Sequence, residues 1–473
     1  MNRYSKLASN TAILSVGTLA SKVLVYLLLP LYTACLSPDE YSMADLISQT
    51  ANLLLPILAV GMVDGIFRFA MDKTDETGKA KVFCVSTVTI TLGSLLAFAI
   101  LPLLGKTGFF GSYTWLIPLY VIASNYHMSA AHFLRGCGKT KLFALQGIIC
   151  TALTIALNLL FLLVFDMGVS GYVLSVICAD FLVALMLYFG FGLIRYIKPH
   201  SFDTSVLREM LKYSVPMIPT TIFWWITNVA DRYMITYIDG QYVNGLYAAA
   251  FRIPTLLILV SGIFSEAWQY SAVTDSDGEN DGNFFSRVFD SFQSIVFLAA
   301  SVLILLAKVF TDILFADTYS DAWQYIPVLV AATVFSSLVT FMSSVYVKHK
   351  RSVNSFVTAM IGALSNILLN ALLIPVLSAQ GAALATLLCY VIVYVIRVID
   401  AKRYVRFNTK PFVIIISSLI IGLQCALMLI GFRFWWLYGI FAVIGIAIID
   451  MSPLIASFKT VFGMFFSRFV KKI

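Results

Sequence analysis

The sequence predicts an all-α, polytopic membrane protein of about 14 transmembrane helices, arranged as two parallel pseudo-repeats of six with two further helices at the C-terminal end. Three observations predict it. The first is composition: 60% of the 473 residues are hydrophobic and 12% are charged, with mean hydropathy +0.91. Soluble proteins carry about 25% charged residues, so 24 acids and 32 bases are too few to coat a water-facing surface on a chain this long. The second is a succession of apolar stretches, each close to the ~20 residues that cross a bilayer as a helix. The third is the distribution of Lys and Arg, which alternates from loop to loop.

The stretches fall near 10–36, 41–67, 82–105, 113–134, 142–165, 168–194, 213–238, 243–270, 285–309, 322–347, 353–376, 380–398, 411–432 and 434–457. The first is expected to be a span, because its apolar run is far longer than a signal h-region and no small-x-small cleavage site follows. The longest loops, near 195–212 and 271–284, are too short to form a nucleotide-binding or catalytic domain. With the N-terminus placed in the cytoplasm, the inside segments hold 26 Lys and Arg, while Lys106, Lys308 and Arg433 face outside and Lys22, Arg232 and Arg252 lie within spans. This is the asymmetry of the positive-inside rule. It predicts a multi-pass protein of the cytoplasmic membrane with both termini inside. The net charge of +8 therefore reports topology, and no nucleic-acid partner is expected.

The halves echo each other. Ala156-Leu157-Asn158-Leu159-Leu160 returns as Leu368-Leu369-Asn370-Ala371-Leu372, and the segment opening at Gly171 returns at Gly381. Ser42-Met43-Ala44 precedes Gly245-Leu246-Tyr247 in the same way. The offset of about 210 residues equals six spans, an even number, so both halves point the same way and are related by an axis along the membrane normal. The expected organisation is a six-helix half over 1–195, a linker over 196–212, a second six-helix half over 213–400, and two additional helices with a basic tail over 401–473. The substrate path is expected between the halves. In the linker Val206, Leu207, Met210 and Leu211 share one helical face, with Arg208, Glu209 and Lys212 elsewhere, which predicts a short helix on the cytoplasmic surface.

Ala230-Asp231-Arg232-Tyr233-Met234-Ile235 and Gly245-Leu246-Tyr247-Ala248-Ala249-Ala250-Phe251-Arg252 resemble the polysaccharide-transporter branch of the MOP (multidrug/oligosaccharidyl-lipid/polysaccharide exporter) superfamily. Similar pieces are Ala267-Trp268-Gln269, Phe67-Arg68-Phe69, Leu134-Arg135-Gly136 with Gly138-Lys139, and the run from Asn366 and Asn370 through Pro375 to Gly381-Ala382-Ala383. The resemblance spans roughly residues 1–400, with Tyr270 standing where the pattern has proline. It implies a MATE-like fold and an oligosaccharide flippase that moves undecaprenyl-pyrophosphate-linked sugar units to the outer leaflet for cell-surface polysaccharide synthesis. It also implies a polysaccharide polymerase and glycosyltransferases as partners, besides the lipid-linked substrate and membrane lipids.

Charges within spans point to the site. A charge at the bilayer centre costs at least about 2.5–3.5 kcal/mol, so it needs a partner or a wet cavity. The candidates are Lys22, Asp45, Asp64, Asp180, Asp231, Arg232, Arg252, Glu266 and Asp450. Lys22, Arg232 and Arg252 suit a pyrophosphate, since arginine offers a bidentate fork and lysine a mobile point charge. The competing reading is structural ion pairing, for example Asp231 with Arg252. Asp64 and Glu266 lie at similar depths in equivalent spans and form a candidate gate with Arg68 or Arg135, or ion pairs. Asn125, Tyr126, Trp224 and Asn228 are candidate sugar contacts, against a belt or packing role. For His127 and His132, capping or packing outweighs proton relay. Asn158, Asn366 and Asn370 read as interhelical hydrogen-bond glue.

No catalytic motif stands out, and neither an enzyme nor a cofactor is expected. The seven cysteines are scattered without a CxxC pair, which is neither a disulfide framework nor a metal-site spacing. Gly138-Lys139-Thr140 lacks the upstream glycine of a phosphate loop, Phe133 standing in its place. The acidic loop from Asp275 to Gly282 has Val288 where a calcium loop needs Glu. Two other functions compete with the flippase. A MATE-type multidrug or cation antiporter predicts a carboxylate in the first span, where Lys22 stands instead. An integral-membrane lipid-linked glycan enzyme predicts acids clustered on a large outer loop, and the outer loops here are short.

Overall fold

The structure is a computed structural model and describes residues 28–453 apart from 107, 275–280, 350, 406 and 452. Its described residues form helices and connecting turns. They are α1 (Leu29–Cys35), α2 (Pro38–Leu58), α3 (Met62–Asp72), α4 (Glu76–Lys106), α5 (Leu116–Gly136), α6 (Thr140–Asn158), α7 (Gly168–Leu185), α8 (Thr204–Ser214), α9 (Ile218–Asp239), α10 (Gln241–Ala250), α11 (Arg252–Thr274), α12 (Asp281–Leu305), α13 (Ala307–Leu314), α14 (Ile326–Lys348), α15 (Ser352–Ala401), α16 (Pro411–Leu429) and α17 (Trp435–Ile449). The second to fourteenth expected spans each fall on one of these helices, on a helix pair, or on one arm of α15. Eight described helices are long and apolar enough to cross a membrane, or nine if the bent pair α2–α3 counts as one span. The protein is therefore a multi-pass membrane protein.

α15 is two helices. Its 50 residues are interrupted at Ser378, where φ is 53° and ψ is −144°. Cross-contacts fix the reversal: Asn366 Nδ2 donates to Thr386 Oγ1 at 3.5 Å, Cys389 Sγ to the Gly362 carbonyl at 3.1 Å, and Arg397 Nε to Thr358 Oγ1 at 3.1 Å. The partners move apart on either side of Ser378, so the arms are antiparallel. A Cβ on Gly381 would lie 2.2 Å from the Leu373 carbonyl oxygen, which is why this hairpin closes only on glycine. Its counterpart in the echo, Gly171, has the same task at the α6–α7 turn, where a Cβ would meet Met167 Cβ at 2.9 Å and the Phe161 oxygen at 3.2 Å.

By packing, the chain forms two compact units, one through Thr236 together with Gly240–Gly245, the other Tyr237–Asp239 and Leu246 onward. In the first, α5 packs against α2, α3, α4 and α7, and α7 against α6. Its core gathers Met62, Ile66, Phe83, Phe133, Leu187 and Met210. In the second, α14 is the most buried helix and packs on α11, α12 and α15, while α16 and α17 pack together and on α12. Arg397, counted above among the inside-facing basic residues, is fully buried here. Its guanidinium donates to Thr358 Oγ1, the Val339 carbonyl at 3.0 Å and Ser343 Oγ, with the Tyr346 ring 5.5 Å away.

The second span is not straight. Pro56 lies in the last turn of α2, Val60 and Gly61 take φ of 50° and 66°, and α3 leaves at 49° to α2. Proline removes a backbone donor and the left-handed pair ends the helix. Asn125 Nδ2 donates to the Leu55 carbonyl at 3.4 Å beside the break. The Gly61–Gly65 stripe packs on α8: a Cβ on Gly61 would lie 3.0 Å from Ser214 Cβ, and one on Gly65 2.7 Å from Ser214 Oγ.

α8 itself buries Val206 and Met210 against the first unit's core, packs Leu207 and Leu211 on it, and leaves Arg208, Glu209 and Lys212 exposed. Asp203 caps it, accepting from Ser205 N at 2.9 Å and, on its other oxygen, from Lys81 Nζ at 2.8 Å. Lys81 first, then the Ser205 bonds, hold the Asp203 carboxyl far below the ordinary carboxylate range. A depressed folded pKa contributes stability above the unfolded value of about 3.9 and loses it as pH falls toward the folded one. The melting-temperature gap between wild type and Asp203→Asn is therefore expected to be constant at neutral pH and to narrow below about pH 4. Melting curves in detergent across pH check it.

Candidate functional site

α5 and α9 lie on expected spans yet fall outside the set of helices apolar enough to qualify on composition. Their polar residues cause this: Asn125, His127, His132 and Arg135 on α5, and Asn228, Asp231 and Arg232 on α9. Such residues persist in a membrane helix only where partners meet them.

On α9, Trp225, Asn228 and Arg232 recur at helical spacing and mark one face, with Tyr233 adjacent. That face meets α2 within the first unit. Trp225 Nε1 donates to the Gln49 carbonyl at 3.0 Å, and Arg232 Nη1 pairs with Asp45 Oδ2. Tyr233 OH lies 2.6 Å from Thr50 Oγ1. Trp225 meets residue 49 and Arg232 meets residue 45, so the two helices run antiparallel here. Gln49 Nε2 donates to Asp45 Oδ1 at 3.4 Å, and the Tyr233 ring is stacked on Phe109 with centroids 5.7 Å apart. The Asp45 and Arg232 side chains are 2% and 6% exposed, so this is an ion pair removed from water. Near it, Asn244 Nδ2 donates to Ser42 Oγ at 2.8 Å, and a Cβ on Gly245 would lie 1.9 Å from the Pro38 carbonyl oxygen. The two segments singled out as echoes, at Ser42 and Gly245, thus touch.

The other expected site residues are placed as follows. Asp231 is 1% exposed, and its Oδ1 accepts from the Arg232 backbone N–H at 2.9 Å. Asn228 Nδ2 donates to the Trp224 carbonyl at 2.6 Å, and Trp224 is half-buried. Tyr126 OH lies 2.7 Å from Thr91 Oγ1, its ring 6.0 Å from that of Tyr188. Asp64 is exposed on α3, and Arg68 pairs with Asp72 at 3.5 Å. The Arg135 guanidinium sits over the Phe67 ring at 4.8 Å. Arg252, in the second unit, is half-buried at the start of α11, where its carbonyl accepts from Thr255 Oγ1 at 2.5 Å. Lys22 and the Glu266 side chain lie outside the described residues.

Sequence reasoning missed the partners. Asp45 was one buried acid among several, and Gln49 and Thr50 were not singled out. The available signal was the i, i+4 pair Asp45–Gln49 in an apolar span, a polar stripe that needs a polar neighbour.

Comparison with known proteins agrees with this architecture. An uncharacterized membrane protein of Methanocaldococcus jannaschii is 23% identical over 421 residues, 84% of this chain and 98% of the relative. The lipid II flippase MurJ, in an inward closed conformation, superposes with a TM-score of 0.70 at 17% identity, covering 94% of this chain and 99% of MurJ. A multidrug resistance MATE family transporter of the MOP superfamily, in an inward-facing conformation, superposes at 0.69 with 14% identity, covering 81% and 95%. These likenesses establish the fold as that of MOP-superfamily transporters. Residues 7–269, more than half the chain and including the whole Asp45–Arg232 site, match the polysaccharide biosynthesis protein family, and to that family the chain belongs.

Proposed function

We propose that the protein is a flippase of undecaprenyl-pyrophosphate-linked oligosaccharide units, moving them across the cytoplasmic membrane by alternating access, with both termini in the cytoplasm. The observation that carries this reading is the polysaccharide-biosynthesis family match over 7–269 on a polytopic bundle with the MOP fold. The chemistry of Arg232 supports it. A guanidinium paired to one carboxylate binds a diphosphate by exchange, because a diphosphate brings more charge and more acceptor oxygens than Asp45 does. Lys22 and Arg252 are proposed to share this role. Asn125, Tyr126, Trp224 and Asn228 are proposed sugar contacts, and Asp64, Arg68, Asp231 and Glu266 gate or ion-pair residues. The working parts are taken as the halves 1–195 and 213–400, joined by 196–212 and flanked by 401–473. A polymerase and glycosyltransferases are the proposed partners.

The test is flipping in proteoliposomes, following leaflet accessibility of a labelled undecaprenyl-pyrophosphate glycan. Wild type is expected to flip it, and Arg252→Ala to slow flipping at least about tenfold, the loss of one charge-assisted contact. Absence of flipping together with proton- or sodium-driven efflux of a cationic dye would overturn the reading in favour of a multidrug antiporter.

A further inference from the structure

α5, α6 and α7 each direct one metal-ligating side chain at a common point inside the first unit. His127 Nδ1 lies 2.8 Å from Asp180 Oδ1, and Cys150 Sγ lies 3.4 Å from the same oxygen. All three donor atoms lie within 4.8 Å of one another. We propose that His127, Cys150 and Asp180 form a binding site for one divalent transition-metal ion of the zinc class, clamping the three helices together. This does not depend on the flippase reading.

The surroundings are those of a ligand set. A metal-bound histidine ordinarily gives its other ring N–H to a carbonyl or carboxylate, which fixes the tautomer. Here His127 Nε2 lies 2.5 Å from Gln146 Oε1. With Nε2–H given to Gln146, a neutral imidazole presents the Nδ1 lone pair to the Asp180 carboxylate. Two acceptors at 2.8 Å are held together by a shared proton or, once they part slightly, by a metal ion that replaces it. Asp180 is oriented in turn, its Oδ2 accepting from Ser124 Oγ. The His127 and Asp180 side chains are 11% and 13% exposed, and Gln146 and Ser124 are buried.

A set of one nitrogen, one sulfur and one oxygen ligand suits zinc, with water as the fourth ligand. The donor atoms stand slightly closer than zinc bond lengths of about 2.0–2.3 Å require, so binding opens the histidine–aspartate contact by a few tenths of an ångström. Charge balances as well. A proton shared by His127 and Asp180 and the thiol proton of Cys150 leave as the ion enters. A dication with one thiolate, one carboxylate and one neutral imidazole is neutral, as is the protonated cluster it replaces. That matters where an unbalanced charge is costly. No local spacing announced the site, since its ligands are 23 and 30 residues apart in sequence.

The test is metal analysis of the full-length protein, purified in detergent through a histidine-free tag. It is combined with cobalt titration followed by thiolate-to-cobalt absorption. Wild type is expected to retain one zinc per chain and to develop the thiolate band. Cys150→Ser should abolish the band, and Gln146→Leu should weaken affinity about 10–100-fold, as loss of an orienting partner does. Wild-type protein without stoichiometric metal and without the band overturns the proposal. So does a band of full strength in Cys150→Ser, since one of the other six cysteines would then be its source. If Cys150→Ser does not fold, the Gln146→Leu affinity decides, and an unchanged value counts against the site.

Discussion

Arg232→Leu, with Asp45 left in place, is expected to destabilise the protein by about 3–5 kcal/mol, because it removes the cation paired to a carboxylate in a site from which water is excluded. Asp45→Leu, which takes the carboxylate away from the buried guanidinium, should also destabilise the protein. The double variant Asp45→Leu/Arg232→Leu should recover most of the loss, since replacing both members of a buried pair by apolar groups is close to neutral. Denaturant unfolding in detergent of the four proteins gives the coupling as a double-mutant cycle. Single losses below about 1 kcal/mol would mean that water reaches the pair. The cycle also separates structure from transport. If Arg232 only locks α2 to α9, the double variant folds and flips. If it also binds diphosphate, the double variant folds and does not flip.

The helices were legible in the sequence because a bilayer imposes length and hydropathy on each span separately. Local composition is then enough to locate a span, as at 326–348, and the echo between the halves singles out Gly171 and Gly381, whose place in the hairpins only the structure shows. Tertiary pairing was not legible. Arg232 could have met any buried acid. Asp231 is its neighbour, and an Asp231–Arg252 pair is one alternative the sequence offers, whereas Asp45 lies 187 residues earlier in the chain. Arg397 was hidden for a related reason. It stands near the end of its span, where a basic residue ordinarily reaches water, but Thr358, Ser343 and the Val339 carbonyl hold it inside. The metal-type cluster was hidden because each ligand has a bland alternative on its own helix. A His in an apolar span reads as packing, a lone Cys as a small hydrophobe, and an Asp as an ion-pair member. Only the convergence of three helices makes them one site.

The second span reads from the sequence as one stretch over 41–67; Pro56 and Gly61 carry the signal of its bend, but nothing local marks the bend's support. That support is Gly93 on α4. A Cβ there would lie 1.8 Å from the Leu58 carbonyl oxygen and 2.7 Å from its carbon. Both are backbone atoms, so no side-chain rotation relieves the clash. α4 must move away from the point where α2 ends. Gly93→Ala is therefore expected to cost at least about 3 kcal/mol, the upper end of overpacking losses, and Gly93→Val more. Gly147→Ala is the control. Gly147 is also inside a helix, α6, but a Cβ there meets nothing within 4 Å. It should be neutral or stabilise by up to about 1 kcal/mol through helix propensity. Melting temperatures of the three variants in detergent decide the point. A Gly93→Ala protein as stable as Gly147→Ala would mean that the α2–α3 break yields to α4. A large loss confined to Gly93 would mean that α4 fixes the 49° bend, and with it the separation of the Asp45 segment from the Asp64–Arg68 segment within one span.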